Sequence, residues 1–185
     1  MNKNFKKSSK LLSLILRHKP ESVGLVLDAN GWASVSDILR LTAITRYVLE
    51  DVVAHNDKQR FSFSQNGQMI RANQGHSVQG VDLQLEPVTP PDILYHGTVV
   101  RSLDGISANG LSKMKRHHVH LSASEGIAHR VGSRRGEAII LTIDAKLMSL
   151  NGFIFFLSAN GVWLTDQVPS DYIQKPYTFN EKKAE

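Results

Sequence analysis

The stretch that decides the fold of this chain is Leu11-Leu12-Ser13-Leu14-Ile15-Leu16-Arg17-His18-Lys19-Pro20. Its leucines and isoleucine can bury one side of a helix, and Ser8 or Ser9 is suited to cap the start of that helix. Pro20 disfavours helical backbone at the residue before it, so we predict that the helix ends near His18. Arg17 and His18 are therefore expected at a helix C-terminus, close to the core. A purely structural explanation of these two residues is that cations interact favourably with the C-terminal end of the helix dipole.

The composition indicates a folded protein with a basic surface. The chain has 185 residues, of which 41% are hydrophobic, a formal net charge of +5 and no cysteine. This length suits one domain or two small lobes. No apolar stretch approaches the roughly 20 residues of a membrane helix, and no signal peptide is indicated. The lack of cysteine excludes disulfides and thiolate metal sites and fits a cytoplasmic protein. The positive charge favours polyanionic partners such as RNA.

The first lobe is predicted to span residues 1–78 and to combine three helices with a hairpin. After the opening helix we expect a short strand over Gly24–Leu27, a helix over Val35–Leu41 capped by Ser34, and a helix over Thr45–His55. Three helices followed by a hairpin is the order of a winged-helix module, a shape that often binds nucleic acid. The N-terminal lobe is therefore interpreted as winged-helix-like.

The hairpin is predicted from the turn signal Asn66-Gly67 between two short alternating runs. If these residues form a two-residue loop, Phe63 lies opposite Ile70 and Phe61 lies opposite Ala72, with all four on one face. The other face then carries Arg60, Ser62, Arg71 and Asn73. We therefore expect two arginines on one exposed face of a rigid ribbon, which could also be an ordinary solvated surface.

A connection over residues 79–91 is predicted to join the lobes, because its three prolines disfavour regular structure. The polar turn just before it is expected to expose His76. The second lobe, residues 92–185, is predicted to mix strands and helices, which gives the α+β class. Its predicted elements are strands over Ile93–His96, His118–Ser122 and Ala138–Ile143, short strands around Phe153–Phe156 and Gly161–Leu164, and helices over Val99–Ala108 and Glu125–Val131.

Two features of the second lobe bear on its core and on metal binding. The continuous apolar run Ala138–Ile143 indicates a central strand covered on both faces. His118 and His120 share one face of their predicted strand, a spacing that could suit a metal ion. Because no carboxylate or third histidine lies at useful spacing, no metal site is predicted.

Seven segments carry a further signal when they are taken in order: Leu16–Pro20, Asp57–Phe61, Ile70–Ser77, Leu94–Thr98, His118–Ser122, Val131–Gly136 and Asn160–Leu164. Together they closely resemble the RNA 2′-phosphotransferase family, the bacterial KptA type, over nearly the whole chain. The resemblance implies a winged-helix-like RNA-binding lobe joined to an ADP-ribosyltransferase-like lobe that binds NAD.

The resemblance also implies a reaction, the NAD-dependent removal of an internal 2′-phosphate from RNA in tRNA splicing or RNA repair. The phosphate attacks C1″ of the nicotinamide ribose and expels nicotinamide, which leaves an ADP-ribosylated RNA phosphate. The neighbouring ribose hydroxyl then attacks phosphorus. The products are 2′-OH RNA and ADP-ribose 1″,2″-cyclic phosphate. NAD is thus a co-substrate. The expected partner is a tRNA-like RNA, and the enzyme is expected to be a monomer that does not associate with a membrane.

The resemblance assigns catalysis to Arg17, His18, Arg60 and Arg134. Arginines can grip phosphate oxygens through paired hydrogen bonds while they stay charged, which suits a phosphate clamp. His18 is assigned to binding the phosphate and assisting proton transfer, since imidazole titrates near neutral pH. Whether Arg134 or its neighbour Arg135 is the catalytic arginine stays open.

The remaining assignments concern NAD and the RNA. NAD binding is assigned to Tyr95, His96, Gly97, Thr98, His120, Ser122, Asn160 and Gly161, and RNA contacts to Lys19, Arg71 and Arg135. Gly97 would let the backbone approach the dinucleotide, and hydroxyl groups can reach ribose or phosphate oxygens. Two alternatives are an ADP-ribosyltransferase acting on nucleic-acid ends or protein, and a non-catalytic nucleic-acid-binding module.

Overall fold

The computed structural model describes residues 3–56 and 58–174; Asp57 of the second matching segment and residues 175–185 of the predicted second lobe lie outside the described residues. The chain divides into two compact units. The first consists of the described residues up to Leu85 together with Lys115–His117 and Ser158–Asn160. The second consists of Glu86–Met114, His118–Leu157 and the described residues from Gly161 onward.

The first unit contains three helices and a three-stranded antiparallel sheet. Its elements are α1 (Lys3–Arg17), a 3-10 turn (Pro20–Val23), β1 (Trp32–Ser34), α2 (Val35–Leu41), α3 (Arg46–Ala54), β2 (Phe61–Phe63) and β3 (Met69–Ala72). The strands lie in the order β1-β3-β2. The predicted helices α2 and α3 are confirmed, with Ser34 accepting a hydrogen bond from the backbone N–H of Asp37.

Helix α1 covers the core of this unit with one apolar side. Leu12, Ile15 and Leu16 are fully buried, and Phe5 packs against the same cluster. The prediction that Ser8 or Ser9 caps the helix is wrong, because Phe5 extends the apolar side by two turns and the helix begins at Lys3. The predicted end is confirmed, with α1 terminating at Arg17.

The predicted strand Gly24–Leu27 is also wrong. The backbone N–H groups of Gly24 and Leu25 donate to carbonyls of the 3-10 turn, Glu21 O and Pro20 O, instead of to a neighbouring strand. Gly24 adopts φ +70 as it closes that turn. The segment is therefore a loop that buries only the side chain of Leu25.

The predicted hairpin register is confirmed, since Phe61 pairs with Ala72 and Phe63 with Ile70. The expectation of an exposed polar face is wrong. Asn73 is buried, and the guanidinium of Arg71 lies 4.5 Å from the ring centroid of Trp32 on the neighbouring strand β1. That face of the hairpin is therefore partly buried, and Trp32 of the neighbouring strand contacts Arg71 there.

The second unit is built from short strands and helices around its own core. Its elements are β4 (Ile93–Thr98), a 3-10 turn (Val100–Ser102), α4 (Leu103–Asn109), β5 (Leu111–Ser112), β6 (Val119–Leu121), α5 (Glu125–Gly132), β7 (Ile139–Asp144), α6 (Ala145–Leu150), β8 (Phe155–Leu157), β9 (Trp163–Thr165), β10 (Gln167–Val168), a 3-10 turn (Ser170–Tyr172) and β11 (Ile173–Gln174). The sheets have the orders β11-β7-β4, β6-β9-β8 and β10-β5.

This arrangement bears out the α+β class and the central position of the strand predicted over Ala138–Ile143, which is β7. Several predicted boundaries shift, and β8 and β9 each begin two residues later than predicted. The helix expected from Val99 begins as a 3-10 turn before α4, and His118 precedes β6 instead of belonging to it. No helix among the described residues is long and apolar enough to cross a membrane.

Candidate active site

The C-terminus of α1 fixes the backbone of two predicted catalytic residues, Arg17 and His18. A helix end leaves carbonyl groups without intrahelical partners. Here the carbonyl of Arg17 accepts hydrogen bonds from the backbone N–H groups of Ser77 (2.8 Å) and Val78 (3.3 Å). The segment after β3 therefore holds the end of α1 in place.

Arg17 is a buried cation with unsatisfied donors. It is 8% exposed, and its Nε and Nη2 atoms have no hydrogen-bond partner within the described part of the chain. Burial, followed by the charges of Arg60 and Arg116, lowers the pKa of Arg17 to about 10. Burying a charge is costly unless an opposite charge or hydrogen bonds compensate it. An anion placed here would supply both.

His18 lies beside this guanidinium on the exposed side. Its Nδ1 atom is 2.9 Å from Ser77 Oγ, so the serine hydroxyl fixes the orientation of the ring. Burial lowers the pKa of His18, and the charges of Arg17 and Arg116 lower it further. The neutral imidazole is therefore favoured until an anion offsets these cations.

His76 is a second histidine on which the charge of Arg17 acts, and it is 1% exposed. Its ring stacks on that of His117 with centroids 6.3 Å apart. A Cβ at Gly31, where φ is +79, would lie 3.2 Å from His76 Nε2, so a larger residue there would crowd the ring. Burial and then the charge of Arg17 lower the pKa of His76 to about 3. The prediction of an exposed histidine is wrong, because its packing partners are distant in sequence.

Arg116 belongs to a short segment, Lys115–His117, that packs with the first unit. The neighbouring His117 anchors it, since its backbone N–H donates to His76 O (3.3 Å) and its Nε2 lies 2.9 Å from Val78 O. The charge of Arg116 acts on both Arg17 and His18. Arg116 was not predicted as a site residue.

The loop before β2 positions Arg60. Its Nη1 donates to the side-chain carbonyl of Asn56 (3.0 Å), and its backbone carbonyl accepts from the N–H of Asn73 (2.8 Å). Asn56 is buried, and its amide also donates to Ser9 Oγ of α1 (3.2 Å). Helix α1 and this loop thus hold Arg17 and Arg60 in the same unit.

Three other predicted residues lie in the first unit. Arg71 stacks on Trp32, and its Nε is buried without a hydrogen-bond partner among residues 3–56 and 58–174. Lys19 is exposed next to His18. Asn160, assigned to NAD, is part of this unit, where its amide donates to the backbone carbonyl of Lys58 (2.8 Å).

Most residues assigned to NAD lie together in the second unit. The backbones of Tyr95 and Ser122 exchange two hydrogen bonds of 2.8 Å, which join β4 to the end of β6. His96 Nδ1 is 3.0 Å from the carbonyl of His120, which orients the His96 ring. The structure therefore brings Tyr95, His96, His120 and Ser122 to one place. Ser122 is half-buried, and Thr98, three residues after Tyr95 in β4, is buried. Hydroxyl groups such as these can bind ribose or phosphate oxygens.

Gly97 has a packing role that the sequence did not reveal. A Cβ on Gly97 would lie 1.9 Å from the backbone carbonyl oxygen of Ala128 in α5. The missing side chain therefore allows α5 to lie directly on β4. Binding of a dinucleotide by the Gly97 backbone stays a prediction.

The last predicted residues lie in loops of the second unit. Arg134 and Arg135 follow α5 and are both exposed, and Arg101 Nη2 lies 3.4 Å from the Arg135 carbonyl. Gly161 is exposed with φ +73. No group of three metal-ligand side chains occurs within the described ranges.

A family model described as RNA 2′-phosphotransferase, Tpt1 / KptA family, matches residues 3–167. The chain belongs to this family. Proteins named probable RNA 2′-phosphotransferase are similar to it over most of their length. That of Hahella chejuensis is 53% identical and covers 94% of this chain and 95% of the relative. The match to the protein of Nostoc punctiforme is 52% identical and covers 91% of this chain and 96% of the relative. The match to that of Escherichia coli is 46% identical and covers 92% of this chain and 90% of the relative. These matches confirm the resemblance identified from the seven segments.

The structure adds two residues that the sequence patterns missed, His76 and Arg116. Arg116 stands in the basic run Lys113–His118, where nothing local distinguishes it from its neighbours. His76 sits inside the matching segment Ile70–Ser77, so that segment was the available signal. The cations Arg17, Arg60 and Arg116, with His18 beside them, form what we call the cation cluster.

Proposed function

We propose that the protein is an NAD-dependent RNA 2′-phosphotransferase, which removes an internal 2′-phosphate from RNA. The products are 2′-OH RNA, nicotinamide and ADP-ribose 1″,2″-cyclic phosphate. One observation carries the proposal: Arg17 is buried with two unsatisfied donor atoms, and the charges of Arg60 and Arg116 act on it. A polyanion with one extra phosphoryl group is the ligand that such a site would bind.

The physical fit rests on the charge of the 2′-phosphate. A phosphate monoester carries about −1.5 to −2 charge near pH 7 and offers three acceptor oxygens. A backbone phosphodiester carries a single charge. Several guanidinium groups around one buried point therefore favour the monoester, and charge-assisted hydrogen bonds strengthen the preference.

Within the cation cluster we assign Arg17, Arg60 and Arg116 to clamping the phosphate. Their fixed positive charge would also stabilise the charge that develops on phosphorus during transfer. His18, whose ring is held by Ser77 and whose pKa is lowered by burial and by nearby cations, is assigned to a hydrogen bond with the phosphate and to proton transfer. The family pattern instead implies that Arg134, or Arg135 as its alternative, clamps the phosphate. This assignment competes with the one to Arg116.

The second unit is proposed as the NAD-binding part, with an ADP-ribosyltransferase-like fold. When bound, NAD supplies the ribose that accepts the phosphate. His96, oriented by the His120 carbonyl, and the hydroxyls of Thr98 and Ser122 are suited to hold its ribose and phosphate oxygens. The order α1-β1-α2-α3-β2-β3 with the sheet β1-β3-β2 supports a winged-helix-like assignment for the first unit.

The test is incubation of the full chain with NAD and an oligonucleotide that carries one internal 2′-phosphate. We expect loss of the phosphate from RNA and formation of ADP-ribose cyclic phosphate, both detected by mass spectrometry. A persistent ADP-ribosylated RNA would indicate an ADP-ribosyltransferase. Unchanged RNA with measurable binding would indicate a non-catalytic module.

A further inference from the structure

The positive charge of this chain is concentrated in one helix. The first 20 residues contain six lysines and arginines and no acid. The chain has 22 basic residues in all, so the other 165 residues carry 16 basic residues against 17 acidic ones. The net charge of +5 therefore originates in α1 and the residues that flank it.

Three of these cations form an exposed track on α1, which we call the lysine face: Lys6, Lys7 and Lys10. Residues three and four apart lie on the same side of a helix, so Lys6, Lys10 and Leu14 follow one another along it. His18 continues this line, because its backbone N–H still donates to Leu14 O (2.9 Å). With a rise of about 1.5 Å per residue, Lys10 lies about 10 Å and Lys6 about 16 Å along the axis from Arg17.

The lysine face has no structural explanation in the described residues. No ion pair among them involves Lys6, Lys7 or Lys10. Lysines three and four apart repel each other, and cations near a helix N-terminus oppose the helix dipole. The apolar side of α1 is buried in the core, so this helix cannot insert that side into a lipid surface. The arrangement costs stability and leaves the charge available for a ligand.

We propose that the lysine face binds the phosphodiester backbone of the RNA that flanks the 2′-phosphate, so that the strand runs along α1 toward His18. This inference rests on the proposed function of the cation cluster, which it extends to neighbouring nucleotides. Each lysine contacts one backbone phosphate without reading the base. RNA that extends beyond the modified nucleotide is therefore bound more tightly than a dinucleotide.

The test compares the variant Lys6→Gln/Lys7→Gln/Lys10→Gln with a control that removes the same charge elsewhere. The control is Arg40→Gln/Lys113→Gln/Lys146→Gln, whose exposed cations each pair with an aspartate. Substrates are a 2′-phosphorylated dinucleotide and a single-stranded RNA of about ten nucleotides with a central 2′-phosphate. Binding of the same longer RNA without the 2′-phosphate is followed by fluorescence anisotropy at several salt concentrations.

The lysine variant is expected to bind the longer RNA about tenfold more weakly at low salt. The slope of its log binding constant against log salt concentration should be less negative by about 2, since three phosphate contacts are lost. Its turnover of the dinucleotide should equal that of the wild type, and the control should change little. Equal anisotropy titrations for the lysine variant and the control would overturn the proposal. Failure of the wild type to release phosphate from either substrate would instead count against the proposed function, and the anisotropy comparison would still decide on the lysine face.

Discussion

Arg17 is a cation that the fold buries without giving its guanidinium a full set of acceptors. Such a residue is explained by what it binds, because alone it destabilises the protein. Proteins commonly sacrifice stability at functional sites in this way. The desolvation of Arg17 and the repulsion from Arg60 and Arg116 both act against folding when no anion is present.

We therefore predict that Arg17→Met stabilises the ligand-free protein and abolishes turnover. Removing a buried, unpaired charge should raise the free energy of unfolding by about 1 kcal/mol. Urea denaturation measures this, with Trp32 fluorescence as the probe of the first unit in a Trp163→Phe background. A lower midpoint, or turnover like that of the wild type, would be inconsistent with a cation held for an anionic substrate.

Two arginines compete for the remaining position in the phosphate clamp, and their environments differ. Both side chains are exposed, but the charge of Arg116 acts on Arg17 and His18, whereas Arg134 lies after α5 in the second unit. We expect Arg116→Ala to reduce kcat by about 100-fold or more, as does loss of one group that stabilises transition-state charge. Arg134→Ala serves as the matched variant. A large loss in Arg134→Ala with little change in Arg116→Ala would reverse the assignment.

The residues of the candidate active site differ in how far the sequence could predict them. The positions of Arg17 and His18 follow from local rules, since Pro20 ends the helix and the apolar run orients it, whereas their catalytic role was assigned only through the family resemblance. His76 and Arg116 do not, because each acquires its role from partners that the fold brings together. His76 looks like an exposed turn residue until His117 and Gly31 enclose it.

Among the elements, α5 and β4 are held together by the absence of a side chain at Gly97. We predict that Gly97→Ala destabilises the protein by about 3 kcal/mol, because a Cβ would overlap the Ala128 carbonyl and push α5 away from β4. Gly105→Ala in α4 is the control, since a Cβ there meets nothing within 4 Å. Alanine favours helix, so this control should be neutral or slightly stabilising. Similar thermal midpoints for the two variants would argue against the packing role of Gly97.

Elements with strong local signals could be predicted to the residue. The Asn66-Gly67 turn and the alternation beside it determined the hairpin register, which the pairing of Phe61 with Ala72 confirms. The start of α1 could not be located from its serines, because Phe5 contributes to the apolar side from further upstream. The predicted strand at Gly24–Leu27 failed because propensity alone does not supply a partner strand.

For the molecule as a whole, buried His76 links stability to pH. Its pKa is about 3 in the folded protein, against an ordinary value of 6.5. Between these values the unfolded chain binds a proton that the folded protein excludes. The contribution of His76 to stability is therefore complete above about pH 6.5 and is lost as pH falls from about 6.5 toward 3.

We predict that His76→Gln flattens this dependence by up to about 1.4 kcal/mol per pH unit. Urea midpoints of the wild type and the variant, measured from about pH 7 to about pH 5, test it. Because the variant can lower stability at every pH, the comparison concerns slopes and not absolute values. Parallel slopes for the two proteins would show that His76 does not carry the linkage.

At the same scale, the α+β class and the basic character of the chain could be predicted from its composition and patterns. The return of Lys115–His117 and Ser158–Asn160 to the first unit could not. Both segments are short loops inside the sequence of the second unit, and only tertiary packing assigns them to the first.

The most direct measurement is the affinity of the protein, without NAD, for two RNA oligonucleotides that differ only in one internal 2′-phosphate. Charge-assisted hydrogen bonds to the cation cluster should make the phosphorylated RNA bind about 100-fold more tightly to the wild type, and Arg17→Met should remove most of that difference. Equal affinity of the wild type for both oligonucleotides would contradict the account.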